Sequence, residues 1–286
     1  MKIKIAALLL SAFALLSISC KNNADSLKPK GQLYIIGGGK RPPEMVKQLI
    51  ALSGAKSGKY IIVLPQSSSE PDTAAYWAMK QFKDQGVTNI TYFNFKKNEI
   101  VEQSKLDSLE NAGMIYIAGG DQSLFMGVVL NTPVYNAIHN AYKKGAVIAG
   151  TSAGAAVMSK KMITGNQLKH PEMEGYKTIQ PNNIEITEGL GLVTTAIFDQ
   201  HFIWRERINR LISVSIENPN ELAIGIDEST ALLVKGDSAT VYGVSQVVVL
   251  NAANANTVAT DSLLGVNGIE LNVYLPGQRF LLTPRN

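Results

Sequence analysis

AVIAGTSAGAAVM, residues 146–158, joins a continuously apolar run to an apolar helical start through Gly150-Thr151-Ser152-Ala153-Gly154. Four apolar residues closed by glycine read as a buried strand. A G-x-S-x-G between strand and helix is the pattern of a sharp turn that thrusts the serine hydroxyl out from the sheet edge. Its glycines permit a backbone too tight for side chains, and the following helix points its first amides toward developing negative charge. A glycine-rich turn with an incidental serine is the bland alternative. With strand and helix both in place, Ser152 reads as a nucleophile.

The same alternation runs upstream. Short apolar runs at Leu33–Ile36, Tyr60–Leu64, Ile90–Phe93 and Met114–Ala118 alternate with helical patterns at Glu44–Leu52, Thr73–Gln85, Gln103–Glu110 and Val134–Lys143. This order predicts an α/β fold, a three-layer sandwich whose mostly parallel central sheet is flanked by helices, with ligands beyond the carboxyl ends of the strands. Residues 160–188 lose periodicity and are expected to be an irregular insertion at the active site. Beyond them, strands at Leu222–Ile226, Ala231–Val234, Ala239–Tyr242 and Gln246–Leu250 with few helices between predict an antiparallel extension near the C-terminus.

A content of 45% hydrophobic and 17% charged residues excludes a disordered or membrane-spanning body. The first nineteen residues differ: Lys2 and Lys4 precede an apolar run from Ile5 to Ile18 that ends in small residues before Cys20. Too short to span a bilayer comfortably and followed at once by polar residues, residues 1–19 read as an export signal that is removed. Ser17-Ile18-Ser19-Cys20 resembles a bacterial lipobox, with Ser17 at the place of the usual leucine. Cys20, the only cysteine, is therefore expected to carry lipid and anchor an exported protein to the membrane, in the periplasm, at the outer membrane or at the cell surface. Residues 20–31 read as a flexible tether and 32–286 as one domain. Loss of Lys2 and Lys4 lowers the formal charge from +4 to +2, and no basic run of nucleic-acid type remains, so nucleic acid is not an expected partner.

A serine needs a base. Of the three histidines, His139 lies in a Lys-rich helical pattern and His170 in the irregular insertion, whereas His201 follows the apolar run Val193–Phe198 and falls just past a strand end. His201 is the candidate base. Its second ring nitrogen needs an acceptor, and Asp199, Asp227 and Glu228 are nearest; spacing does not separate Asp227 from Glu228. Gly119-Gly120-Asp121-Gln122 follows another buried strand, so the amides of Gly119 and Gly120, with that of Ala153, are candidate oxyanion donors, against the alternative of a turn made tight for packing. Gly37-Gly38-Gly39-Lys40 has neither dinucleotide spacing nor a P-loop ending. Arg205, Arg207 and Arg210 read equally as a solvated helix face and as carboxylate-binding groups.

GGDQ (119–122), GTSAGA (150–155), DQHF followed by R-x-R-x-x-R (199–210) and GIDEST (225–230), in that order, resemble the cyanophycinases and their relatives, serine peptidases related to aspartyl dipeptidases. The resemblance runs from about residue 31 to 250 and implies a fold similar to class I glutamine amidotransferases. It implies Ser152 as nucleophile, His201 as base and Glu228, rather than Asp227, as orienting acid. It further implies Gln122, Asp199, Gln200, Arg205, Arg207 and Arg210 in substrate recognition, with no metal or cofactor. The implied substrate is cyanophycin, a polyaspartate bearing arginines on its side chains, cut into β-Asp-Arg dipeptides. An exported member would digest polymer released by other cells, and a homodimer would be consistent with relatives. Other aspartyl or isoaspartyl peptides, or a catalytically silent binding protein on the same scaffold, are the alternatives.

Overall fold

The computed structural model describes residues 29–284. The expected signal segment and Cys20 lie outside the described residues. The folded body begins with β1 (Gln32–Ile36), α1 (Pro43–Ser53), β2 (Ile61–Leu64), α2 (Pro71–Lys83), β3 (Ile90–Tyr92) and α3 (Gln103–Asn111). It continues through β4 (Met114–Ile117), α4 (Gln122–Val129), α5 (Pro133–Lys144), β5 (Val147–Thr151) and the short α6 (Ala153–Ala156). Next come β6 (Lys161–Gln167), β7 (Ile184–Glu188), β8 (Ala196–Gln200), α7 (Ile208–Glu217) and β9 (Leu222–Ile226). The chain closes with β10 (Thr230–Lys235), β11 (Ser238–Gly243), β12 (Val247–Asn251), β13 (Asn256–Ala259), β14 (Leu264–Asn267), β15 (Glu270–Tyr274) and β16 (Arg279–Leu281).

A large mixed sheet of eight strands, in the order β16-β11-β10-β1-β5-β4-β2-β3, forms the centre. Its β1, β5, β4, β2 and β3 are parallel, and β10, β11 and β16 add antiparallel pairs on the other side of β1. Alternate residues of β1 enter different cores. Tyr34 and Ile36 pack with Leu49 of α1 and Phe82 of α2, while Leu33 and Ile35 pack with Phe125 of α4 and Ile138 of α5. A strand buried on both faces has no polar side to show, which is why these segments read as continuous apolar runs.

The expected antiparallel extension is formed by β10, β11 and β16, which widen the central sheet. It does not take in the whole last third: β9, β12 and β15 join β8 in a separate four-stranded sheet. The switch happens within three residues, Asp227 to Ser229, between β9 and β10, where Ser229 takes a positive φ of 54°. The segment 160–188 is not irregular throughout either, because β6 and β7 pair as an antiparallel ribbon with a register shift between Ile163 and Gln167, flanking a loop. Half-buried residues and that irregularity hide its period. The tether also ends sooner than expected, since Lys30 and Gly31 donate backbone hydrogen bonds to Lys143 and Tyr142 at the end of α5.

Register positions the site. Ile36 of β1 lies beside Thr151 of β5, so Gly37 and Ser152 leave the sheet at one edge. Gln200 of β8 lies beside Ile226 of β9, so His201 and the Asp227–Glu228 pair leave the second sheet together.

Candidate active site

Ser152 sits at φ 53° and ψ −112°, a backbone conformation costly for a residue with a Cβ. The surroundings hold it there: its amide donates to the Ile36 carbonyl at 3.0 Å, and its carbonyl accepts from the amides of Ala155 and Ala156 at 2.8 and 3.1 Å. Helix α6 thus begins directly under the serine.

His201 is also at positive φ, 50°, with its amide donating to Gly37 O at 2.7 Å, which ties the second sheet to the first. Its Nδ1 lies 2.6 Å from Oε1 of Glu228 and its Nε2 lies 2.8 Å from Oγ of Ser152. With the Nδ1 proton donated to Glu228, Nε2 is the acceptor for the serine hydroxyl. Burial, aided by the cations Arg205 and Arg207, pushes the His201 pKa below its ordinary value even though Glu228 pulls the other way, so the imidazole is neutral at neutral pH.

Asp227 does different work. Its Oδ1 accepts from the amides of Ile203 and Trp204 at 3.1 and 2.9 Å, and its Oδ2 accepts from Ser245 Oγ at 2.7 Å. Geometry therefore separates two adjacent carboxylates that spacing could not: Glu228 faces the imidazole, and Asp227 fixes the turn that carries it.

The triple glycine after β1 matters more than its sequence suggested. A Cβ on Gly38 would lie 2.3 Å from Cε1 of His201, and one on Gly39 would lie 2.7 Å from Oε2 of Glu228. The loop is the wall against which the imidazole and its carboxylate rest. Three glycines closing a buried strand were the available clue; only the contact across the two sheets gives them meaning.

Gly119 lines the cavity at Ser152, and neither its amide nor that of Ala153 donates to a protein acceptor among the described residues. Both fit a carbonyl oxygen that becomes an oxyanion. Gly120 is placed otherwise. At φ 140°, with its Cβ direction 2.0 Å from the Ser67 carbonyl, it packs against the β2–α2 loop, outside the residues that line this cavity.

The remaining candidates separate by burial. Arg205 is exposed and, with Arg207, lines a cavity of about 440 Å³ under the ribbon loop, together with Gln167, Met173 and Tyr176. Arg207 donates to the backbone carbonyl of Gln200 at 2.7 Å and to its side-chain oxygen. Burial, reinforced by Arg210, lowers the Arg207 pKa to about 10, which leaves it charged at neutral pH.

Asp199 and Arg210 do not face a substrate. Each is 1% exposed; the guanidinium Nε donates to Asp199 Oδ2 at 2.7 Å and Nη2 donates to Oδ1, while Nη1 reaches the Tyr176 hydroxyl. This pair is a buried brace that carries Tyr176, and so the pocket wall, from the second sheet. Gln122 is buried as well, its amide nitrogen donating to the carbonyls of Ile163 (2.8 Å) and Thr164, which fastens β6 to α4.

A serine hydroxyl, a neutral imidazole and a carboxylate in line, beside free backbone amides, is an arrangement for acyl transfer. The model of peptidase family S51 matches residues 33–242, and that span contains all of these groups. The chain belongs to peptidase family S51. It is 32% identical to a cyanophycinase of Nostoc sp. over 269 residues, covering 90% of this chain and 87% of that protein. A cyanophycinase of Geminocystis herdmanii is 30% identical over 77% of this chain and 81% of its own length. Among solved structures, a peptidase from an acI-B1 Actinobacterium superposes with TM-score 0.62 at 21% identity, covering 86% of this chain and 98% of that one. A putative peptidase E protein of Listeria monocytogenes gives 0.54 at 17%, over 75% and 99%. These likenesses establish a peptidase-E-like fold. Family membership makes this S51 chain a hydrolase, a serine-type peptidase, acting on a peptide or on cyanophycin.

Proposed function

We propose that this S51 peptidase is an exported, lipid-anchored exopeptidase that cuts cyanophycin to β-Asp-Arg dipeptides. The observation that carries the reading is the Ser152–His201–Glu228 line, with spacings of 2.8 and 2.6 Å, next to a cavity bearing Arg205 and Arg207. Relatives at 32% identity named cyanophycinase support the choice of polymer.

In this mechanism Ser152 Oγ attacks the scissile carbonyl while His201 Nε2 takes its proton. The carbonyl oxygen gathers charge against the amides of Gly119 and Ala153, and Glu228 stabilises the imidazolium. The imidazolium then protonates the leaving amine, the C–N bond breaks, and an ester to Ser152 remains. Water, deprotonated by His201, hydrolyses that ester and restores the serine. Arg205 and Arg207 receive the free carboxylates of the polymer, carried by its arginyl branches and its C-terminal residue, for which a guanidinium is the matching donor.

The test is release of β-Asp-Arg from purified cyanophycin by residues 21–286, compared with Ser152→Ala and with simple aspartyl and isoaspartyl peptides. Release by the unsubstituted protein alone supports the reading. Cleavage of a simple peptide with intact polymer removes cyanophycin as substrate; no cleavage of either favours a silent binding protein. Incorporation of radiolabelled palmitate, lost in Cys20→Ser, tests the anchor.

A further inference from the structure

Three residues at strand ends around the site share a backbone conformation. Ser152, His201 and Ser229, the residue after Glu228, lie at φ 53°, 50° and 54°. Their amides donate in turn to three successive carbonyls of the segment that closes β1: Ser152 to Ile36 at 3.0 Å, His201 to Gly37 at 2.7 Å and Ser229 to Gly38 at 2.9 Å. One stretch of chain therefore carries the nucleophile, the base and the turn of the orienting acid. Positive φ is costly for a residue with a Cβ and persists only where the surroundings over-determine it, so the segment that holds all three is the template of the site.

The template is itself a soft segment. Glycine loses more backbone freedom on ordering than any other residue, and of the run Gly37-Gly38-Gly39 the last two sit at φ 115° and 68°. Among the described residues its final two carbonyls are bound by side chains and by no backbone amide. Ser229 Oγ donates to Lys40 O at 2.7 Å, so Ser229 grips the loop twice, by amide and by hydroxyl. Arg41 Nη1 donates to Gly39 O at 2.9 Å while its Nε donates to Gln81 Oε1 at 2.7 Å, and Gln81 Nε2 donates to Ala78 O at 3.1 Å. The planar guanidinium is thus a strut from α2 to the loop. Every carbonyl from Ile36 to Lys40 is occupied. A Cβ on Gly39 would lie 2.7 Å from Glu228 Oε2, so a loop that swings takes the wall away from the carboxylate.

We propose that Ser229 and Arg41 are positioning residues for the base: they lock the Gly37–Lys40 loop through its last two carbonyls, and the locked loop holds His201 and Glu228 in line with Ser152. Both act through the backbone, since the Ser229 hydroxyl and the Arg41 guanidinium each bond a loop carbonyl and the catalytic line runs from Ser152 through His201 to Glu228 without them. The donor types suit the task. A serine hydroxyl reaches a carbonyl within its own turn, and a guanidinium fork spans two acceptors in one fixed plane. The expected effect on rate rests on the Ser152–His201–Glu228 mechanism; the effect on the geometry of His201 does not. Locks that served the fold alone would lower the melting temperature and leave the folded protein's rate as it was.

The test reads geometry and rate separately. In protein carrying isotope-labelled histidine, the Nδ1 proton that His201 donates to Glu228 should give a far-downfield NMR resonance, assigned by its loss in His201→Gln. Ser229→Ala and Arg41→Met should each broaden or abolish it and slow fluorophosphonate modification of Ser152 about tenfold, part of the roughly hundredfold cost of an outright misplacement. Each should lower Tm by no more than about 4 °C, the effect of one hydrogen bond in a domain of this size. Arg41→Lys, which keeps a donor, should recover part of the rate. Arg41→Met combined with Gln81→Leu should be no slower than Arg41→Met alone, because both cut one strut. Ser108→Ala is the control, since it removes a hydroxyl-to-carbonyl bond of the same 2.7 Å on α3. Resonance and rate unchanged in both Ser229→Ala and Arg41→Met, whatever happens to Tm, overturn the proposal, as does an equal loss in Ser108→Ala. Unsubstituted protein that shows the resonance yet does not react with the probe would instead overturn the peptidase mechanism, and the resonance in the variants would then decide the positioning.

Discussion

Gly38→Ala is the sharpest test of how the two sheets make one site. An added Cβ would lie 2.3 Å from Cε1, 2.5 Å from Nε2 and 2.8 Å from Nδ1 of His201, where ordinary contact begins at 3.4 Å. The ring must therefore retreat by about 1 Å, or the loop must, and the backbone at φ 115° adds strain of about 1–3 kcal/mol. A retreat of that size takes a 2.8 Å hydrogen bond to Ser152 close to 3.8 Å, beyond hydrogen-bond reach. Misplacement by about 1 Å costs on the order of a hundredfold in rate. The assay is the second-order rate of Ser152 modification by a fluorophosphonate probe, with circular dichroism to check that the fold persists. Gly58→Ala is the control: its φ is 92°, so it carries comparable strain, but its Cβ would meet nothing within 4 Å. A Gly38→Ala rate within threefold of the unsubstituted protein, or a Gly58→Ala rate that falls equally, would refute the claim that the glycine loop positions the base.

Because burial first, and then Arg205 and Arg207, push the His201 pKa down, the neutral base should persist as pH falls, and the acid limb of kcat/KM should have its midpoint below 6.5. Arg205→Gln removes one of the downward pulls and should move that midpoint up; a limb that stays put or moves down contradicts the electrostatics. Asp199→Asn should destabilise the fold by about 3–5 kcal/mol in urea unfolding, since it leaves the buried Arg210 guanidinium without its counter-charge. Glu228→Gln and Asp227→Ala should separate by readout. The first should lower kcat by roughly 10³–10⁴ with an unchanged melting curve. The second should cost about 1–3 kcal/mol of stability by stranding the Ile203 and Trp204 amides. If both act on rate alone, the division of labour between the two carboxylates is wrong.

The central layer was legible because its physics is local. Residues 146–158 carry both their burial and their turn in sequence, and the strands of the parallel half are apolar on both faces, so each could be read without knowing its neighbours. The site was legible in part, for a related reason. Ser152 and His201 each follow a strand end, and strand ends are where an α/β sheet presents its chemistry. What sequence alone could not supply was any relation that crosses between sheets. Asp227 and Glu228 are adjacent, acidic and in one turn, and only the rotation of that turn against β1 decides which reaches His201. The arginines form one motif, yet five residues of chain take them from exposed Arg205 to fully buried Arg210, because α7 packs Leu211 and Val214 against Ile197, Ala223 and Leu250 of the four-stranded sheet. The carboxylate of Asp199 determines which arginine is captured. Had it pointed to the pocket instead, Arg210 would be an unpaired buried charge and α7 could not pack as it does. A motif that looks uniform along the chain thus grades from exposed Arg205, through Arg207, which lines the pocket but lies 3.5 Å from Asp199 and donates to Gln200, to Arg210, consumed by the fold, and the gradation follows from where a single buried carboxylate sits.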